Sequence, residues 1–171
     1  YTVSLRQIKT ESEIAKIKKA QIIADKGFDF LCKLIAERKT DLTEKEAAAK
    51  LEYFMKCEGA DDLSFSVIAA FGENSACPHA VPTERKAKKG DALLFDYGAK
   101  VDGYCSDITR TVFLSEASEK QRNIYDIVLS AQKAALETIR EGKTGAEIDR
   151  VARDIISSHG YGSLFGHSLG H

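Results

Sequence analysis

Two aspartates and three histidines in this chain have the types and spacing to do chemistry. Asp96 sits in Phe95-Asp-Tyr-Gly98, and Asp107 follows eleven positions later in Gly103-Tyr-Cys-Ser-Asp-Ile-Thr-Arg-Thr111. The two β-rich runs that carry them flank Lys100-Val-Asp-Gly103, a tetrad with the turn chemistry of a hairpin. With the turn centred between Val101 and Asp102, Asp96 faces Asp107 with Cβ atoms about 5 Å apart. Ionised carboxylates so placed repel, and burying them without partners is costly. A proton, an arginine or one or two divalent cations would compensate. Strand parity puts Arg110 on the other face, which favours a metal; a turn displaced by one residue would instead leave both aspartates solvated.

Gly166-His-Ser-Leu-Gly-His171 adds two imidazoles four residues apart, and on a helix or a strand alike His167 and His171 point to one locus. Such a pair alone is a weak metal signal. Together with the aspartates it forms a mixed Asp/His set, suited to a hydrolytic divalent metal such as Mn, Co, Fe or Zn rather than to Ca or Mg. Pro78-His-Ala-Val-Pro-Thr83 holds both prolines of the chain. Each fixes its own φ, so His79 is stiffly presented, as suits a hydrogen-bond donor to a substrate carbonyl or its tetrahedral adduct; the plainer alternative is an ordinary loop histidine.

These residues need a scaffold. From Thr10, Ile14, Ile17, Ala20, Ala24, Phe28, Leu31 and Ile35 recur at helical spacing and predict one long amphipathic helix. Thr43-Glu-Lys-Glu46 reads as a capping box opening a second helix, with Ala47, Leu51, Phe54 and Met55 inward and a stop at Gly59. A third helix is expected from Ser118 to near Gly142, and a fourth from Thr144 to Gly160. The second and fourth share a Thr-x-x-Glu start (Thr43/Glu46, Thr144/Glu147), a glycine sixteen positions on, and apolar residues at equal offsets. Each pair leads into a β-like segment, 63–71 and 162 onward. Two copies of a helix–helix–strand unit related by a pseudo-twofold axis would explain this; chance likeness of capped helices is the alternative. On the hairpin, Leu93, Phe95 and Tyr97 share a face with Ile108 and Val112 and should lie against helices.

Composition narrows the class. The 171 residues carry 25 Lys+Arg against 26 Asp+Glu, a net charge of −1 with no long like-charged block, which argues against a dedicated nucleic-acid binder. At 43% hydrophobic residues and no apolar run of membrane-spanning length, the chain reads as a globular, soluble protein. The four cysteines, with no Cys-x-x-Cys pair, read as free thiols of a reducing cytoplasm, none of them catalytic. The start, Tyr1-Thr-Val-Ser, resembles neither a signal peptide nor a translation start, and a cut-out of a longer chain is expected.

Taken together, these ordered motifs resemble the pita-bread (creatinase/aminopeptidase) metallopeptidases of family M24. Within them the bacterial Xaa-Pro dipeptidase (prolidase) and aminopeptidase P branch is most similar, on the Pro-His-Ala-Val-Pro-Thr loop and the Asp-Ile-Thr-Arg-Thr segment. The resemblance implies an α+β pita-bread fold: a curved antiparallel sheet with two pseudo-symmetric helix–helix–strand units on its outer face, incomplete at the C-terminus. Residue by residue it implies that Asp96 chelates one metal ion, that Asp107 bridges two, and that His171 binds the other. His79 would assist the tetrahedral intermediate, and His167 would line the substrate subsite. The implied activity is dinuclear metal-dependent hydrolysis of the bond between an N-terminal residue and proline, with Mn the expected metal and Co, Zn or Fe possible. Further implications are Xaa-Pro dipeptides or short peptides as substrates, no nucleic-acid or membrane partner, a homodimer and a cytoplasmic location.

The family adds two glutamates and a further histidine after the Gly-His-x-x-Gly-His motif, and a small N-terminal domain. The chain shows neither, so residues 1–171 read as a partial catalytic domain, inactive by itself. Two other readings stand beside this one: a methionine aminopeptidase, which shares fold and metal set, and a metal-free pita-bread module that binds peptides.

Overall fold

A computed structural model describes residues 2–170 and divides the chain into two compact units, Tyr1–Ala117 and Ser118–His171. The first unit opens with a short helix α1, Thr2–Gln7, and a long one, α2, Glu11–Arg38. Thr10 and Glu13 satisfy each other's amides at the start of α2, and its buried residues Ala20, Ile23, Ala24, Gly27, Leu31, Leu34 and Ile35 hold the expected period. Helix α3, Glu44–Cys57, buries Ala47, Leu51 and Met55, and its Phe54 stacks on Phe30 of α2 at 4.5 Å between ring centroids. Only half of the expected capping box forms there. Thr43 accepts the Glu46 amide, but the Glu46 carboxylate turns to the Arg38 guanidinium at 2.7 and 3.2 Å. A charge-assisted two-point contact outcompetes the return bond to Thr43.

Six short strands follow: β1 Asp62–Leu63, β2 Ile68–Phe71, β3 Ala92–Tyr97, β4 Ala99–Val101, β5 Tyr104–Cys105 and β6 Ile108–Phe113. They form two antiparallel sheets, ordered β1-β4-β5 and β2-β3-β6. The segment expected as one strand over 63–71 is thus split between the sheets. The hairpin is present, but its turn lies between Asp102 and Gly103, both at positive φ (50° and 82°), one residue later than expected. Asp-Gly is the pair that reaches this left-handed geometry most readily. Leu93, Phe95 and Tyr97 are fully buried on the helix-facing side, where the Tyr97 hydroxyl donates to the Ala24 carbonyl of α2 at 3.2 Å.

In the second unit, α4, Glu119–Thr138, starts from a Ser118/Gln121 capping box, and α5, Gly145–Ser158, from the Thr144/Glu147 box. Ile127, Ala131, Ala135, Ala152 and Ile156 form its core, with Ile148, Ile155, Tyr161, Phe165 and Leu169 packed against it. The helix pair of the internal repeat is therefore present twice, and Gly59 and Gly160 both end their helices at positive φ. The strand expected from 162 onward is not found among the described residues; Gly162–Leu164 is a 3-10 turn. Side chains of α5 take the backbone groups a sheet neighbour would otherwise take. Arg153 donates to the carbonyls of Phe165 and His167, each at 2.9 Å, and Asp149 accepts the Leu169 amide at 2.8 Å.

Candidate metal centre

The site is built on the hairpin face turned away from the helices. Asp96, on β3, lies opposite Thr109 of β6, which donates its hydroxyl to Asp96 Oδ1 at 2.9 Å. Direct pairing of Asp96 with Asp107 is thus corrected, because the turn comes one residue later. Asp107 stands outside the ladder, at the bend between β5 and β6, and from there its carboxyl reaches that of Asp96.

Packing creates the bend. Ser106 is buried; its hydroxyl accepts the Ala99 amide at 3.0 Å and contacts the Ala20 carbonyl of α2 at 3.1 Å. Across from it, a Cβ on Gly98 would fall 2.7 Å from the Ser106 carbonyl carbon, a separation that real side chains do not show. Glycine lets the two chains close there, and that closure brings Asp107 to Asp96.

Burial raises the Asp96 carboxyl above its ordinary range; the Thr109 hydroxyl opposes this, the Asp107 charge adds to it, and His79 lowers it. Two carboxylates brought together, Asp96 half-buried and Asp107 exposed, form an oxygen-donor set for a divalent cation, so the chemistry of the pair fits a metal. Among the described residues, no three His, Cys, Asp or Glu side chains converge to hold an ion by themselves. Arg110 keeps to the helix-facing side, over the Phe28 ring at 5.9 Å.

His79 belongs to the same unit and, exposed in the turn at Pro78-His79, lies near enough to act on Asp96. His167, in the second unit, is exposed; its Nδ1 donates to the Ser168 carbonyl at 2.7 Å and its ring meets Phe165 edge-on at 5.3 Å. His171 lies outside the described residues. Two contributors escaped the sequence. Thr109 was hidden by the turn position. Glu44, fully buried, resembles any acidic residue in a first helical turn, yet it accepts from Phe71 N, Asn74 Nδ2, Thr83 N and Thr83 Oγ1. Burial opposes ionisation, but these four bonds outweigh it and hold the Glu44 carboxyl below its ordinary range. The available signal was the internal repeat, which has Gly145 at the matching position.

Helices packed on one face of an antiparallel hairpin sheet, with two carboxylates brought together on the other, fit the scaffold of the pita-bread metallopeptidases. Comparison with known proteins makes the assignment specific, since residues 15–171 match the model of metallopeptidase family M24. The Xaa-Pro dipeptidase of Pyrococcus furiosus is 48% identical over 167 residues, 98% of this chain and 47% of that protein. Among solved structures, the Xaa-Pro dipeptidase from Bacillus anthracis superposes with a TM-score of 0.94 at 45% identity, over 98% of this chain and 46% of that one. The X-Pro aminopeptidase from Thermotoga maritima gives 0.93 at 42% identity, covering 98% and 47%. The chain belongs to metallopeptidase family M24, a family that depends on divalent metal. It spans about half the length of the curated relatives it matches.

Proposed function

We propose that residues 1–171 form part of the catalytic domain of a metal-dependent exopeptidase that cleaves between an N-terminal residue and proline. The observation that supports this most directly is the approach of the Asp107 carboxyl to Asp96, with His79 near enough for its charge to act on Asp96, on a fold similar to that of proteins named Xaa-Pro dipeptidase. Asp96, Asp107 and His171 would hold two divalent ions, Mn first and Co, Zn or Fe next. Bound there, such ions supply Lewis acidity and an activated water for hydrolysis.

The chain's own residues do the rest. Thr109 fixes the orientation of Asp96. His79, stiffened by Pro78 and Pro82, donates a hydrogen bond toward the scissile carbonyl as negative charge develops on it. His167 lines the subsite for the substrate. A homodimer in the cytoplasm completes the reading. No helix among the described residues is long and apolar enough to cross a membrane.

The test is Asp107→Asn in the complete protein, with metal content and Ala-Pro hydrolysis measured on one preparation. Both should fall together, hydrolysis by about 100-fold or more. Full activity with undiminished metal overturns the proposal.

A further inference from the structure

Glu44 is the first residue of α3 and has no exposed surface. The start of the helix does not require it. Thr43 caps α3 through the Glu46 amide, and α5 opens equally well with Gly145 one residue after its capping threonine. A buried carboxylate is costly unless its oxygens are satisfied. Here each bond leaves the helix. Oε1 accepts from the Phe71 amide at 2.7 Å and Asn74 Nδ2 at 2.9 Å; Oε2 accepts from the Thr83 amide at 2.9 Å and the Thr83 hydroxyl at 2.6 Å.

Phe71 and Thr83 bracket residues 72–82, the segment that carries Pro78, His79 and Pro82, and Asn74 adds a hold just inside its start. One carboxylate oxygen grips its beginning and the other its end. Thr83 passes the restraint on, since its hydroxyl also accepts the Arg85 amide at 3.1 Å, and Arg85 is in turn paired with Asp91 at 2.7 Å, directly before β3. The base of the loop is thereby tied to the strand that carries Asp96.

We propose that Glu44 is a positioning residue, a buried clamp that closes the 71–83 loop on both sides and so fixes where His79 stands relative to Asp96 and Asp107. Its catalytic consequence rests on reading His79 as the donor to the substrate; the order it imposes on the loop does not. Two prolines stiffen the loop locally, but a segment of this length retains many conformations unless its ends are held. Misplacing a donor by a fraction of a hydrogen-bond length costs rate rather than binding.

The test uses the complete protein and E44Q. Glutamine keeps the shape and one acceptor, but sets an amide N–H2 against the Thr83 amide N–H. Amide exchange over 77–83 should accelerate while that of β3 and the metal content stay as they were. For Ala-Pro, kcat should fall roughly tenfold with KM within about twofold. H79A should lower kcat as well, and adding E44Q to H79A should lower it no further. If E44Q does not fold, T83V removes the 2.6 Å hydroxyl bond to Glu44 together with the acceptor of the Arg85 amide, keeps the Thr83 amide bond, and should give the same pattern at smaller amplitude, with T83S restoring it.

Unchanged loop exchange, loss of metal, or an E44Q loss that persists at full size in H79A overturns the clamp. Full activity of H79A alone would instead overturn the catalytic reading of His79, and accelerated exchange in E44Q would still establish the clamp.

Discussion

Thr109 donates its hydroxyl to Asp96 at 2.9 Å and so orients it, beside the Asp107 carboxyl that reaches it from the bend. Outer partners of this kind fix a ligand's rotamer and tune its affinity for metal. Thr109→Val keeps the branched shape that strands favour and deletes the donor. Titration of the metal-free complete protein with Mn should show affinity lowered about tenfold; unchanged affinity would mean that the backbone alone orients Asp96. The aspartate pair was legible in the sequence despite the misplaced turn. Moving the turn by one residue shifts each cross-strand partner by two, and a shift of two preserves the face. Thr109 entered the site for the same reason, and Asp107 reaches Asp96 from the bend.

Among the elements, the bend is decisive. Gly98→Ala would drive a Cβ into the Ser106 backbone, which cannot retreat because its side chain is tied to Ala99 and Ala20. Overpacking of this kind should cost about 2 kcal/mol or more, read from urea unfolding; a loss near zero would show that the bend yields. In the second unit, Glu147 is held down to about 2, by the Thr144 amide first and the Lys143 ammonium next. Its unfolded value is about 4.3, so its contribution to stability is present above that pH and is lost as pH falls through about 2. Glu147→Gln keeps the cap acceptor and removes the charge. Its melting temperature should lie below the parent's at neutral pH, and the gap should close as the solution is acidified between those limits. Helix starts such as this one were readable because the cap and its partner are three residues apart. Glu46 was misread because its preferred partner, Arg38, lies on the preceding helix.

For the whole molecule, the described residues bring two carboxylates together and no third metal ligand. The chain spans about half the length of the relatives it matches, and by itself it should bind Mn weakly and release no proline from Ala-Pro. Given a full ligand set in the complete protein, Ala-Pro and Leu-Pro should be cleaved in preference to Met-Ala-Ser. A preference for the methionine peptide would move the assignment to the methionine aminopeptidases, which the named relatives do not favour.

The amino-acid sequence by itself determined the four longer helices, the threonine and serine residues that cap them, the hairpin and the candidate carboxylates, because periodicity, turn chemistry and capping act between residues a few positions apart. It also determined the family, through ordered motifs along the chain. Only the tertiary structure decided the position of Asp107 at a bend, the pairing of Asp96 with Thr109, the turn formed where a second strand was expected, and the partners of Glu44. Those partners lie 27 to 39 positions away. Which distant donors a buried carboxylate meets depends on how helix, strand and loop pack together, and no local pattern encodes that.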